Sequence, residues 1–188
     1  MKELAPGIAV FDNVFLNSME YIKRIEENNI LWNSAEVLLD KNKNTSKTDH
    51  KHRDTDLIVL PHHLNSETGM LADFTKIFHE EIKLSLNQYV DYYSAKIENF
   101  EPPQLLRYGK GQKFNNHVDD HPLFTRRISL TYYLNDNYEG GDVEFKRHGL
   151  RFKAQKNQLL VFPSNFIYSH EVHPITDGLR YVIVQWTA

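Results

Sequence analysis

Residues 127–134 read Arg-Ile-Ser-Leu-Thr-Tyr-Tyr-Leu, a short apolar-rich run of the kind that forms a β-strand. Similar runs surround it from residue 103 onward, separated by turn residues such as Gly140-Gly141 and Pro163-Ser164-Asn165. The candidate strands are Gln104–Tyr108, Phe114–Asp119, Arg127–Leu134, Val143–Phe145, Leu150–Phe152, Gln158–Phe162, His170–Val172 and Arg180–Trp186. This density of short strands favours a mainly β fold, either a double-sheet jelly roll or a small barrel.

The first hundred residues differ in pattern, because two short strands alternate there with two predicted helices. The strands are predicted at Gly7–Phe11 and Leu57–Leu60, and Asn17-Ser18-Met19-Glu20 resembles a helix start whose helix runs to about Glu27. The longer helix is predicted over about Gly69–Tyr93, because apolar residues recur there at steps of three or four. We therefore expect one compact domain, in which flanking N-terminal helices within residues 1–102 buttress a β core formed by residues 103–188.

Lys41–Arg53 is the one biased segment of the chain. It holds four lysines and an arginine against a single acid, Asp49, and it contains no apolar residue. Two interpretations stay open: a mobile, solvated loop, or a positively charged lid that faces a substrate.

Composition excludes several classes of protein. The formal net charge of −3 provides no overall field for a polyanion, which disfavours nucleic acid as a partner. The absence of cysteine excludes disulfides, thiolate metal sites and cysteine nucleophiles. No apolar window approaches the length of a membrane span, and the apolar stretch Ile8–Phe11 is too short for a signal-peptide core. We expect a soluble, cytoplasmic protein without membrane partners.

His117 and Asp119 are the first candidates for chemistry. Residues i and i+2 of a strand point to the same face, so this imidazole and this carboxylate converge if the strand continues through them. A third ligand is available from His170, at the start of a later candidate strand. Two histidines and one carboxylate leave about half of an octahedral coordination sphere open, which is the arrangement of non-haem Fe(II) oxygenases.

Arg180 is the second candidate, because it shares a face of the last strand with apolar residues. Period two places it in line with Val182, Val184 and Trp186. A guanidinium buried on such a face needs an anion, which is either an internal carboxylate or a bound ligand. Tyr133, on the same face of its strand as Thr131 and Ser129, is either a core tyrosine or a hydroxyl donor to that anion.

The order and spacing of these motifs resemble the prolyl 4-hydroxylase type of Fe(II)/2-oxoglutarate-dependent dioxygenase, especially the hypoxia-factor prolyl hydroxylases. The motifs are Leu106-Arg107-Tyr108-Gly109-Lys110-Gly111-Gln112, His117-Val118-Asp119, Tyr132-Tyr133-Leu134-Asn135 with Gly140-Gly141, His170-Glu171-Val172, and Gly178-Leu179-Arg180-Tyr181 with Trp186. The resemblance covers residues 103–188. It implies a distorted double-stranded β-helix, or jelly roll, with iron at one mouth.

The resemblance also implies a role for each matching residue. His117, Asp119 and His170 would bind Fe(2+), and Arg180 would pair with the distal carboxylate of 2-oxoglutarate. Tyr133 would hydrogen-bond the same carboxylate, while the remaining candidates would contribute to the cofactor pocket: Tyr108, Thr131 and Trp186. Fe(2+), 2-oxoglutarate as co-substrate and O2 are the implied cofactors, and ascorbate is allowed as an addition.

The implied reaction hydroxylates a C–H bond while 2-oxoglutarate is decarboxylated to succinate and CO2. A prolyl or peptidyl substrate and a free amino acid or other small molecule both stay open. The alternatives from another class are a cupin-like metal protein and a catalytically degenerate peptide-binding module. His121, His173 and Asp120 lie close to the predicted ligands, but we place the two histidines at the mouth or the surface, and Asp120 on the opposite strand face.

Overall fold

The computed structural model describes residues 1–40, 45–61, 68–120 and 125–188. Its two α-helices are α1 (Ser18–Glu27) and α2 (Met70–Tyr93), and short 3-10 helices occupy Lys146–His148 and Phe166–Tyr168. The described strands, in chain order, are β1 (Lys2–Ala5), β2 (Ile8–Phe11), β3 (Asn33–Ser34), β4 (Glu36–Asp40), β5 (Thr45–Thr48), β6 (Arg53–Asp54), β7 (Asp56–Val59), β8 (Gln104–Tyr108), β9 (Lys113–His117), β10 (Ile128–Tyr133), β11 (Glu139–Gly140), β12 (Val143–Phe145), β13 (Leu150–Phe152), β14 (Leu159–Pro163), β15 (His170–Val172), β16 (Ile175–Asp177) and β17 (Arg180–Thr187).

Two antiparallel sheets form the body of the molecule. The major sheet has the order β1-β2-β14-β10-β17-β8-β7-β3, and the minor sheet has the order β13-β12-β15-β9-β6. Both sheets combine strands from the two halves of the chain, because β7 pairs with β8 and β6 pairs with β9. Side chains from both sheets share one buried cluster, so the sheets pack face to face around an interior that we call the lumen.

The major sheet is buried on both faces, which explains why its strands read as nearly continuous apolar runs. Tyr132 and Tyr133 illustrate this, because both are fully buried but belong to different clusters. The Tyr132 hydroxyl donates to the carbonyl of Phe15 (2.5 Å) and lies 3.1 Å from Ser18 Oγ, whereas Tyr133 points into the lumen. A register slip of one residue would exchange these two environments.

The helices cover the face of the major sheet that points away from the lumen. α2 buries Phe74, Phe78, Ile82, Leu86 and Tyr89 against this face, and α1 adds Ile22 and Ile25. Asn17 stands at the start of α1 as predicted, but its side chain makes no capping hydrogen bond; instead Glu20 N donates to the Asn17 carbonyl (3.2 Å). Neither helix of the described chain has the length and apolarity that a membrane span requires.

The predicted fold class, mainly β with flanking helices, is confirmed. Four predicted strands have the observed bounds, and the others differ by one or two residues. The expectation of a loop over 41–53 is wrong for Thr45–Thr48, which pairs with Glu36–Asp40, and for Arg53 in β6; residues 41–44 lie outside the described residues. The sequence of Thr45–Thr48 lacks the apolar alternation that predicts a strand. Its β structure comes instead from pairing with the neighbouring strand β4.

Candidate metal centre

His117 and His170 face each other across neighbouring strands of the minor sheet. His117 ends β9, His170 begins β15, and the two residues are register partners. Their ring centroids are 4.3 Å apart. The antiparallel ladder therefore fixes two imidazoles side by side at the end of the sheet that adjoins the lumen.

Asp119 completes a cluster with these histidines, although it lies beyond the end of β9. Its Oδ1 is 3.4 Å from His117 Nε2, and its Oδ2 is 4.0 Å from His170 Nε2. One donor atom from each of the three residues lies within 4.8 Å of the others. The prediction placed Asp119 inside a strand, whereas β9 ends at His117 and Asp119 lies two residues beyond it, in an irregular segment.

The two imidazoles are oriented in the same way by the backbone. His117 Nδ1 lies 2.9 Å from the carbonyl oxygen of Asn115, and His170 Nδ1 lies 3.1 Å from that of Tyr168. A carbonyl only accepts, so each Nδ1 carries the hydrogen and each Nε2 keeps its lone pair. This is the tautomer that a metal-binding histidine needs.

The charges of the cluster also suit a divalent cation. Burial on its own would raise the pKa of Asp119, but the two histidines and a hydrogen bond from Ser129 hold it well below the usual value, so the carboxylate is ionised. Burial, together with the neighbouring His117, lowers the pKa of His170 to about 4, so this imidazole is neutral near pH 7. One carboxylate and two imidazole nitrogens form a donor set that fits Fe(II) with open positions.

Hydrogen bonds from a buried hydroxyl and through the backbone fix the position of Asp119. Ser129 Oγ lies 2.8 Å from Ser164 Oγ, and both side chains are about 1% exposed. The Asp120 amide donates to the Ser164 carbonyl (2.9 Å), and Arg126 Nη1 donates to the Asp119 carbonyl (3.0 Å). These residues are the outer layer that orients a ligating carboxylate. Sequence reasoning gave Ser164 and Arg126 no role, because nothing in their local pattern reveals these contacts.

Arg126 connects Trp186 to the candidate metal centre, because it contacts both the Trp186 ring and the Asp119 carbonyl. The Arg126 guanidinium lies 3.9 Å from the centroid of the Trp186 ring and forms a two-point ion pair with Glu101, with both N–O distances at 2.6 Å. Trp186 is the register partner of Ser129, so it shares the lumen-facing side of the major sheet. The structure therefore places Trp186 at the end of the lumen next to Asp119.

Arg180 lies at the other end of the lumen, and it is 1% exposed. Its Nε and Nη1 atoms are buried and have no hydrogen-bond partner among the described residues, and the Tyr133 hydroxyl is in the same situation. The guanidinium carbon lies 4.9 Å from the Tyr108 ring centroid and 5.2 Å from that of Tyr133. Burial raises the pKa of Tyr133, so its hydroxyl keeps its proton and stays a donor. We call Arg180, Tyr133 and Tyr108 the arginine cradle.

The arginine cradle has the chemistry of an anion site. No carboxylate of the described chain forms an ion pair with Arg180, so the internal salt bridge that the sequence left open is not found there. Gly141 makes room for the side chain, because a Cβ there would lie 3.0 Å from Arg180 Cδ. A buried cation with idle donors needs a bound carboxylate, and 2-oxoglutarate carries one at the end remote from its keto acid.

The remaining candidates take different positions. Thr131 lies between Ser129 and Tyr133 on the lumen side of β10, opposite Val184. His173 is in a separate group with Glu144 and Glu171, where its Nε2 lies 2.7 Å from Glu144 Oε2. Asp120 is exposed and contributes only its amide, and His121 lies outside the described residues.

Comparison with known sequences supports the predicted recognition. Residues 103–188, just under half of the chain, match the model of the 2OG-Fe(II) oxygenase superfamily. A PKHD-type hydroxylase of Rippkaea orientalis is 32% identical over 89 residues, which are 43% of this chain and 39% of that protein. One of Hyphomonas neptunium is 27% identical over 136 residues, 65% of this chain and 56% of that protein. The chain thus spans roughly half of the length of these relatives. The predicted resemblance is confirmed at the level of this superfamily over residues 103–188, and the superfamily description names the predicted iron and 2-oxoglutarate.

Solved structures show the same fold. A prolyl hydroxylase from Trichoplax adhaerens, in complex with a hypoxia-inducible-factor oxygen degradation domain peptide fragment, has a TM-score of 0.72 at 16% identity, covering 96% of this chain and 83% of that one. A Pseudomonas putida prolyl-4-hydroxylase has a TM-score of 0.65 at 19% identity, covering 96% and 92%. These similarities confirm the jelly-roll architecture.

Proposed function

We propose that this protein is an Fe(II)- and 2-oxoglutarate-dependent dioxygenase that hydroxylates a C–H bond of a prolyl, peptidyl or amino-acid substrate. The observation that carries the proposal is the presence of two complementary sites on one lumen. One end holds the His117, Asp119 and His170 donors, and the other holds the Tyr133 hydroxyl and Arg180, whose Nε and Nη1 have no hydrogen-bond partner among the described residues. The single molecule that satisfies both sites is a metal-chelating keto acid with a second carboxylate.

The chain's own residues have defined roles in this reaction. His117, Asp119 and His170 would hold Fe(II), which supplies the activation of O2. Arg180 and Tyr133 would bind the distal carboxylate of 2-oxoglutarate and so direct its keto-acid end toward the metal donors. The apolar side chains between the two ends, such as Val182 and Leu160, would exclude water from the reacting groups.

The balance of the reaction follows from the co-substrate. One oxygen atom of O2 becomes the hydroxyl of the substrate, and the other becomes part of the new carboxylate of succinate as CO2 leaves. The substrate loses a C–H bond and gains a C–OH, and 2-oxoglutarate supplies the two remaining electrons. No reductant beyond 2-oxoglutarate is needed for a complete turnover.

A solved structure of the same fold supports a peptide substrate. The Trichoplax prolyl hydroxylase of the same fold was solved with a peptide fragment, which supports a peptide substrate here.

The cupin-like alternative and the degenerate binding module are both disfavoured, because neither needs a buried cation with free donors at the far end of the lumen from the metal donors.

Anaerobic addition of Fe(II) and 2-oxoglutarate to the purified protein tests the proposal without any substrate. We expect the weak visible charge-transfer band of the chelate in the wild-type protein, and no band in His117→Ala or Arg180→Ala. Metal binding without the band in the wild-type protein would instead favour a cupin-like or degenerate binding protein.

A further inference from the structure

Arg53 and Arg180 differ from the other partly buried arginines. Four arginines of the described chain are at least partly buried: Arg53, Arg107, Arg126 and Arg180. Arg107 has Glu26 and Asp56 within 3.2 Å and 3.0 Å, and Arg126 has Glu101. Within the described ranges, no carboxylate pairs with either of the other two. The proposed function assigns an anion to Arg180, but it leaves Arg53 without one.

Arg53 makes only weak contacts with neutral groups. Its Nη1 donates to the Glu36 carbonyl at 3.2 Å, its Nη2 donates to Gln104 Oε1 at 3.4 Å, and its Nε is buried without a partner in the described chain. A guanidinium has five N–H donors, so most of its hydrogen-bonding capacity is unused. Burial lowers the pKa of Arg53, which shows that its charge is held in an unfavourable environment.

The Arg53 side chain reaches the lumen beside the metal donors. It starts from β6 of the minor sheet and contacts Gln104 of the major sheet, so it bridges the opening between the two sheets. Its guanidinium carbon lies 4.9 Å from the Phe114 ring centroid, and that ring stacks on His117 at 3.5 Å. Asp119 is one of the groups whose charge acts on Arg53.

Gln104 itself faces the lumen. It shares its side of β8 with Leu106 and Tyr108, which belong to the buried cluster between the sheets, and its register partner on β17 is Val184. Arg180 and Arg53 therefore lie at opposite ends of one lumen, with the metal donors beside Arg53.

We infer that Arg53 binds a carboxylate of the substrate, so that the substrate carries a free carboxylate close to the hydroxylated carbon. This inference rests on the proposed function and narrows its substrate class to free amino acids and the carboxyl-terminal residues of peptides. A prolyl residue in the interior of a peptide offers no such anion, so it leaves Arg53 unneutralised.

The test compares acids with their primary amides in the anaerobic complex of the full chain with Fe(II) and 2-oxoglutarate. The probes are the free L-amino acids and Gly-X dipeptides, each as the acid and as the primary amide. Binding is read from the change that a probe causes in the visible band, and turnover from succinate released above the substrate-free rate. The free amino acids and the dipeptides distinguish the two sources of the carboxylate.

We expect at least one acid to bind about 10- to 100-fold more tightly than its amide, because its charge-assisted hydrogen bonds are lost in the amide. Arg53→Gln should remove this preference, and Arg53→Lys should keep part of it. The control Arg24→Gln changes an exposed arginine on α1 and should keep the full preference. The band without a probe should be unchanged in Arg24→Gln, and it should still form in both Arg53 variants, which shows that their metal and 2-oxoglutarate sites are assembled.

Three results would overturn the inference: amides that bind as well as acids, a preference that survives in Arg53→Gln, or a band that no acid perturbs. In each of these results the band itself forms, so the proposed function stands. A wild-type protein that forms no band contradicts the proposed function instead.

Discussion

The two ends of the lumen are built differently, although each contains an arginine that pairs with no carboxylate of the described chain, Arg180 fully buried and Arg53 partly buried. The arginine cradle is closed, its three side chains come from neighbouring strands of one sheet, and Arg180 is 1% exposed. The end around Arg53 bridges two sheets. Arg53 itself lies on β6, which comes from the N-terminal half of the chain and pairs with β9. A closed site within one sheet suits a constant co-substrate, whereas a site across a gap suits a substrate that must enter and leave.

The largest expected effect concerns the metal donors, which lie beside Arg53 at the end of the lumen opposite the arginine cradle. His117→Ala should weaken Fe(II) or Co(II) binding by more than about 100-fold, since even partners behind a ligand contribute 10- to 100-fold. Anaerobic calorimetric titration measures the affinity. The matched control His173→Ala removes the histidine of the other histidine–carboxylate group and should leave the affinity unchanged. Equal losses in the two variants would refute the assignment of the centre to His117.

Substitution of Arg180 separates the cradle from the metal centre. Arg180→Met should lose 2-oxoglutarate binding while metal affinity changes by less than about threefold. The ligand-free variant should also unfold at a higher denaturant concentration, because it no longer carries the desolvation cost of a buried charge that no carboxylate of the described chain offsets. Arg107→Met, which leaves Glu26 and Asp56 without their cation, should be destabilised. A destabilised Arg180→Met would mean that the arginine has a structural partner.

An intermediate effect is expected for the hydroxyl pair behind Asp119. Ser129→Ala should weaken metal binding by about 10-fold, because the ligating carboxylate loses a hydrogen bond that orients it. Ser129→Thr keeps a hydroxyl and should recover most of the affinity. The affinity for 2-oxoglutarate, measured on the metal-loaded protein, should change less than the metal affinity. If both fall equally, Ser129 acts on the whole lumen and not on Asp119.

The smallest effect is expected for an arginine that faces solvent. Arg151 pairs with Asp142 at 2.8 Å, but its side chain is 55% exposed. Arg151→Ala should change the free energy of unfolding by less than about 1 kcal/mol, as is usual for surface ion pairs. Urea denaturation measures this, and a larger change would weaken the contrast between paired surface arginines and unpaired buried ones.

The arginine cradle could be predicted from the sequence, while the Arg53 end could not. Arg180 stood out because strand periodicity places it in line with apolar residues. Tyr133 was found on the face of its strand that it shares with Thr131 and Ser129, both strands were recognisable from local composition, and Tyr108 was implied only by the resemblance. Arg53 lies in a basic, polar segment, and its position depends on the pairing of β6 with β9, far along the chain. Local patterns do not encode such a pairing.

Asp119 shows a similar limit within the candidate centre. The spacing of two residues selected His117 and Asp119 on the assumption that both lie in one strand. The structure brings the two side chains together, but the strand ends at His117. The carboxylate lies in an irregular segment after β9, whose backbone is hydrogen-bonded to Ser164 and Arg126. Spacing identified the side chains, and tertiary contacts determine their geometry.

The pairing of His117 with His170 has a mechanical consequence. An ion bound to both imidazoles would join β9 and β15 by a bridge stronger than the hydrogen bonds at this irregular end of their ladder. Metal binding would then hold the two strands together at this end. Amides of β9 and β15 should exchange with deuterated solvent more slowly in the metal-bound protein, and the slowing should grow with free metal concentration. Chelation of the ion would open the minor sheet first at this edge.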